Sequence, residues 1–234
     1  LAFHPGDQWR FGGSTNYVAL MVGRISGQTL DQFLQERIFD PLGMADTHYN
    51  VPHAKVDRVA AAYSPSGPDN TIELLRAPEP RDPSSYFGGT AGLSSTAADY
   101  FRFSQMILNG GELNGARLLS PTTVNLMITN HTGDLPIYIK GADAYGFGLG
   151  FTMLTDPDRS RQAVTPGTFG WGGAYGTVFW IDPVEDMVSI MMMQMSPYSH
   201  FTLRQDFPNL VMQAITESYH SGQQAIRGYE PIPR

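Results

Sequence analysis

The chain has 234 residues, 41% of them hydrophobic and 12% aromatic, and 22 acidic against 15 basic residues give it a formal charge of −7. That length buries one substantial core and allows one or two domains, while the acidic balance and the wide separation of its only lysines, Lys55 and Lys140, exclude a basic footprint for nucleic acid. No apolar run approaches the ~20 residues of a bilayer span, and the absence of cysteine excludes disulfides, thiolate metal sites and cysteine nucleophiles.

The composition reads as soluble and globular, compatible with either a cytoplasmic or an exported protein. Leu1 is not a methionine, and LAFHPGDQW has neither a basic n-region nor an apolar signal core, so sequence is expected upstream.

In chain order, Val18, Met21, Val22 and Ile25 recur on one helical face that stops at Gly27, which predicts a helix with Ser14 as its cap. Thr29 and Gln32 form a capping box for a second helix carrying Leu30, Phe33, Leu34 and Ile38, closed by Pro41 and Gly43. Residues 50–92 are rich in Pro, Ser, Gly and Asp, with one strand-like run at 71–75, and read as a loop-rich excursion of the kind that roofs a site. A third helix starts near Thr96, with Asp99 in its first turn and Tyr100, Phe103 and Ile107 inward, and ends at Asn109, Gly110 and Gly111. A fourth has Ser120 as cap and Pro121 in the first turn, followed by Val124, Met127 and Ile128.

The pattern changes after Gly141. Tyr145, Phe147, Leu149 and Phe151 alternate with Gly146, Gly148 and Gly150, the period of a strand with one bare face. Further strands are expected at 177–181 and 187–193, joined by a DPVED hairpin connection, and an amphipathic segment at 203–219 contains Pro208, which predicts a late start or a kink. Helices, then meandering strands, then a helix define an α+β class with an antiparallel sheet flanked by helices.

Several chemistries are tested by spacing. Gly12, Gly13 and Ser14 lack the G-x-S-x-G of a nucleophile elbow and the Gly-Lys-Ser/Thr of a phosphate loop. His4, His48, His53, His131, His200 and His220 never fall at helical ligand spacing, so no metal site and no cofactor is assigned. Glu185 and Asp186 fall in a turn, where solvated acids are the default. In TFGWGGAYGTVFW, Trp171 is followed by Gly172, Gly173 and Ala174 in a strand context. Glycines there mark either close approach of a ligand, with a backbone NH free to act as an oxyanion donor, or simply a thin strand packed under an aromatic ring.

The segments PGDQWRFGGSTNYVAL, SGQTLDQFLQERIFDPLGMADT, GGTAGLSSTAADYFRFSQMILNGGELNGARLLSP, YGFGLGF and FGWGGAYGTVFWIDPVEDMV, in this order, resemble the serine β-lactamase-like superfamily. The likeness is to its class C branch with the related esterases and D-alanyl-D-alanine carboxypeptidases, and the W-G-G form is closer to the esterase-like members. The resemblance implies a β-lactamase/transpeptidase-like fold and acyl transfer through an acyl-serine, on a small-molecule ester, amide or lactam-like substrate. Its three motifs are S-x-x-K, Y-x-N and K-T-G or W-G-G. Trp171, Gly172 and Gly173 match the third, which makes the Ala174 NH one half of an oxyanion hole.

The first motif is absent, because the residues three before Lys55 and Lys140 are Pro52 and Ile137. At the second, the tyrosine position falls on Phe11 and the asparagine position on Gly13. A phenylalanine keeps the ring but can neither take nor give a proton. Ser14, Thr15 and Asn16 form an S-x-N displaced by three residues, which would point the hydroxyl elsewhere.

The expectation is a single incomplete domain over 1–234, helical over 1–140 and sheet plus C-terminal helix over 141–234, inactive as the chain stands. Its core would need a missing N-terminal segment or a self-association partner. The alternative expectation is a non-catalytic binding or regulatory relative with Phe11 in place of the tyrosine.

Overall fold

The computed structural model describes residues 3–66, 71–79, 82–135, 137 and 143–218. Lys140, Gly141, His220 and the end of the predicted C-terminal segment at Tyr219 lie outside the described residues.

Helix α1 (Ser14–Ser26) ends where predicted, at Gly27, whose φ of 73° lets its NH reach Gly23 O. Its start is one residue earlier than a Ser14 cap allows: Gly13 is the N-cap, Ser14 is already helical, and no side chain caps the helix. The apolar face of the helix is exposed. Val18 and Met21 are each 53% exposed and Ile25 86%, whereas Ala19 is buried. The helix docks instead through Thr15, Asn16 and Ala19 against residues 88–90. Thr15 Oγ1 meets Thr90 Oγ1 at 2.8 Å, and Asn16 Oδ1 accepts Thr90 N at 3.1 Å. A Cβ at Gly89 would lie 2.3 Å from Thr15 O, so only glycine permits that approach.

The Thr29–Gln32 capping box forms and opens α2 (Leu30–Leu34). A π turn at Gln35–Phe39 follows, in which Asp40 N reaches back to Gln35 O, and then α3 (Asp40–Leu42) carries Pro41 inside it. The π register absorbs the proline, so the segment closes at Gly43 rather than at Pro41.

The excursion over 50–92 is more ordered than its composition predicts. It contains a 3-10 turn at His53–Arg58 and a hairpin of β1 (Ala62–Ser66) and β2 (Thr71–Arg76), the second covering the predicted run. β1 is tied to the end of the large sheet by Tyr63 N to Gln194 O and Ser196 N to Tyr63 O, both 2.9 Å.

Helix α4 (Ala97–Leu108) is capped by Thr96, which accepts Asp99 N at 3.2 Å. It ends at the expected glycines, from which β3 (Glu112–Leu113) and β4 (Ala116–Arg117) lead to α5 (Pro121–Met127), capped by Ser120. Asp99 is buried and accepts Asp46 N at 2.7 Å and Thr47 Oγ1 at 2.9 Å, pinning the chain after α3 to the first turn of α4.

The large sheet is an antiparallel meander of β5 (Tyr145–Phe147), β6 (Thr152–Leu154), β7 (Phe169–Gly172), β8 (Val178–Asp182) and β9 (Met187–Met191), in sequence order. The alternating run 145–151 is therefore a hairpin and not one strand: Gly148 N bonds Phe151 O at 2.8 Å, and Gly150 takes φ 103°. Its bare face is where Asn130 and the Met127 carbonyl come close, since a Cβ at Gly146 or Gly148 would lie 2.4 Å or 2.1 Å from them. The β8–β9 hairpin forms as expected, but Glu185 in its turn is buried and accepts the Ser218 hydroxyl, correcting its reading as a solvated acid. Asp186 is exposed.

One face of the sheet, through Phe169, Phe179 and Ile181, packs against Met106 and Ile107 of α4, Val124 of α5 and Phe39, Leu42 and Met44. The other face carries Trp180, whose ring meets Phe207 of α6 (Leu203–Gln213) at 5.1 Å. The result is helices, sheet and helix in three layers, the α+β class expected. Pro208 neither delays nor starts α6, because Gln205 N and Asp206 N already close its first turn on Thr202 O, and the proline costs one later bond.

Asp99→Ala strands two donors in a buried place, so urea melts should show a loss of about 2–3 kcal/mol. A second expectation concerns acid. The Arg58 guanidinium, bonded bidentately at 2.8 and 2.6 Å, and then Lys55 hold the Asp46 carboxyl well below the usual carboxylate range. Because its folded pKa is depressed, the stability it contributes is present above about pH 4 and fades as pH falls below it. Removing Arg58 should flatten that part of the stability profile.

Candidate functional site

Strand β7 carries the W-G-G segment, and it outruns its neighbour. β6 pairs only with Phe169 and Gly170, while on the other side β8 pairs with all four residues through Gly172. Gly170 O accepts Thr152 Oγ1 at 3.0 Å and so faces β6, whereas Gly173 N bonds Thr177 O at 2.8 Å and so faces β8. By the period of two, Gly172 presents its backbone groups to the side that β6 has vacated, and because the Gly173 carbonyl is turned inward to Gly176 N, the trans peptide sends the Ala174 NH to the opposite side. Ala174 is exposed, and among the described residues its NH donates to no backbone carbonyl.

A chain of rings crosses to this edge from the N-terminal segment. Trp9 meets Phe147 with centroids 4.8 Å apart, Phe147 meets Trp171 edge-on at 5.2 Å, and Phe11 meets Trp171 at 5.3 Å. Each spacing lies within the favourable range for aromatic pairs. Phe11 is 55% exposed and its ring carries no hydroxyl. Gly13, two residues on, is the N-cap of α1 and lines the same groove as Phe11.

The glycines of the motif make room on the opposite face. A Cβ at Gly172 would lie 1.8 Å from Arg204 Nη2 and 2.5 Å from its Cζ, so the guanidinium of α6 occupies the space of a missing side chain. That guanidinium lies over the Tyr198 ring, 4.5 Å from its centroid. A Cβ at Gly170 would lie 2.1 Å from Phe179 O, which keeps β7 bare beside β8. The turn after the motif closes through Gly176, at φ 90°, whose NH bonds Gly173 O at 3.1 Å.

The two sequence-predicted clusters, Phe11 with Gly13 and Trp171 with Gly172, Gly173 and Ala174, thus come together at one strand edge through the Phe11–Trp171 contact. Sequence reasoning did not single out Phe147 or Arg204 for the site. Phe147 had a signal in its alternation with glycines, but Arg204 had none, since it reaches the motif from a helix across the sheet. Among the described residues, no group of three or more His, Cys, Asp or Glu side chains is placed to hold a metal ion. No helix among them is long and apolar enough to cross a membrane.

A profile described as Beta-lactamase matches residues 1–207. An uncharacterized protein of Mycobacterium tuberculosis is 34% identical over 84% of this chain and 51% of its own length. Lovastatin esterase of Penicillium rubens is 26% identical over 83% of this chain and 52% of its own. Among solved structures, simvastatin synthase from Aspergillus terreus superposes with a TM-score of 0.76 at 22% identity, covering 94% of this chain and 57% of that one, a likeness of fold. The chain spans about half the length of the curated relatives it matches.

Gly172→Ala should displace the Arg204 side chain and lower stability. The loss should shrink by about 1 kcal/mol in an Arg204→Ala background, where nothing occupies the space. A double-mutant cycle by thermal melting checks this.

Proposed function

The chain belongs to the Beta-lactamase family, and from that membership we propose that it is part of a serine hydrolase that transfers acyl groups of small-molecule esters, amides or lactam-like rings through an acyl-serine. The observation that carries the reading is the Phe11–Trp171 contact at 5.3 Å, which joins two motif positions far apart in sequence beside a strand edge that β6 leaves uncovered among the described residues. There the Ala174 NH is free to bind a developing oxyanion. Neither Lys55 nor Lys140 has a serine three residues before it, so this reading requires the serine and lysine of S-x-x-K to be supplied by polypeptide other than these 234 residues. That polypeptide, or a second copy of the chain, would cover the apolar stripe of α1 and complete a single domain. Support for a covering element comes from the stripe itself, since Tyr17, Val18, Met21 and Ile25 form a contiguous exposed apolar face.

A second reading rests on Phe11. Without a hydroxyl at that position, proton transfer loses a contribution typically worth 10²–10⁴-fold, and a relative that binds its ligand without turning it over would tolerate the change.

In the protein that carries S-x-x-K, a fluorophosphonate should label the serine, and a p-nitrophenyl ester should be hydrolysed. Phe11→Tyr should raise kcat on the order of a hundredfold. Absence of labelling would overturn the hydrolase reading in favour of the binding one. The 234-residue chain alone should self-associate through α1. Sedimentation as a monodisperse monomer with a cooperative melt would contradict the uncovered-face reading.

A further inference from the structure

The turn that presents the Ala174 NH is held by more than its own strand. Gly176 N bonds Gly173 O at 3.1 Å and Gly173 N bonds Thr177 O at 2.8 Å, which fixes the start of the turn on the approach to β8. Its outer corner is Tyr175, and that residue is fastened from outside. The Tyr175 carbonyl accepts Met195 N at 2.9 Å, and its ring lies under the Arg76 guanidinium, with Cζ 5.6 Å from the centroid. Both contacts lead to one place, the β1–β2 hairpin. Tyr63 N of β1 bonds Gln194 O and Ser196 N bonds Tyr63 O, both at 2.9 Å, so β1 grips the two residues that flank Met195. Arg76 closes β2 opposite Ala62, which is fully buried. Among the described residues Arg76 forms no ion pair, which leaves its charge to the Tyr175 ring.

Tyr175 follows Ala174 directly, and each residue has only two soft backbone torsions. With Gly173 bonded to Thr177, a shift of Tyr175 is absorbed in the torsions around Ala174, and the peptide that carries its NH tilts. We propose that Arg76 is a positioning residue for the acyl transfer proposed above: through the Tyr175 ring it holds the turn so that the Ala174 NH points at the developing oxyanion. The inference rests on the hydrolase reading for what that NH binds. An oxyanion donor works by being aimed in advance at the place the oxygen reaches in the transition state. A small tilt therefore lowers turnover and leaves ground-state binding alone. The ring contact needs a cation, so a lysine at 76 keeps it and a glutamine does not.

The test uses the protein that carries S-x-x-K, with p-nitrophenyl acetate as substrate and selective ¹⁵N-alanine labelling. In Arg76→Gln, kcat should fall about fivefold, the scale that a partly exposed cation–π contact can transmit, with KM and melting temperature unchanged. Arg76→Lys should restore most of the rate. Tyr175→Leu should cost about as much as Arg76→Gln, and the two together no more than either alone. The Ala174 amide resonance should shift in Arg76→Gln and return in Arg76→Lys. An unchanged kcat, a change confined to KM, or losses that multiply in the double variant overturns the proposal, the last because Arg76 then acts other than through the ring. If the wild-type protein resists a fluorophosphonate, the hydrolase reading falls and the amide resonance alone decides. A shift that lysine reverses upholds the positioning role, and an unmoved resonance ends it.

Discussion

The arrangement at the candidate site depends on β7 being longer than the strand beside it and bare on one face. β6 pairs no further along β7 than Gly170, so among the described residues no strand lies beside the following backbone groups on that side. Period-two geometry assigns that side to Gly172, and the turn that follows sends the Ala174 NH the same way. Glycine at 170 and 172 is what allows this in a packed layer: the β8 backbone crowds one position and the Arg204 guanidinium the other. A side chain at either place would push β8 or α6 away from β7, and the turn that presents Ala174 is closed by residues of β8's own approach. Edge, turn and helix are therefore one coupled feature.

A second constraint holds the two halves of the layer together. The buried carboxylate of Asp99 takes donors from Asp46 and Thr47, and Asp46 in turn faces Arg58 and Lys55. These contacts anchor the chain after α3, from which Leu42 and Met44 enter the core under the sheet. The string DPLGMADT thus reads as a structural clamp, with Asp40 held by Gln35, Asp46 by Arg58 and Lys55, and Thr47 by Asp99.

Local signals were the ones the sequence carried well. The caps at Thr96 and Ser120, the Thr29–Gln32 box and the glycine at 27 need only residues within one turn, and all form where they were read. Features that depend on a distant partner were misread. The apolar stripe of α1 is legible as a helical face, but the close approach of Thr15, Asn16 and Ala19 to glycines 88 and 89 is not. The run 145–151 has a strand's alternation, but the turn glycines break it into a hairpin. Of the candidate site, the Phe11–Trp171 contact and the approach of Arg204 to Gly172 were not legible, since neither leaves a periodicity.

The substitution at Phe11 sets two unequal quantities against each other. An aromatic contact is worth about 0.5–1.5 kcal/mol beyond burial, a gain in binding of about two- to tenfold. Loss of a positioned proton donor costs 10²–10⁴ in rate. Better binding of substrate and transition state alike lowers the ground state as well, so it does not recover the lost turnover. A slow hydrolase and a pure binder built on this frame would thus look the same at rest. They would differ in what happens after the ester is bound: an acyl-serine forms and persists in one, and never forms in the other.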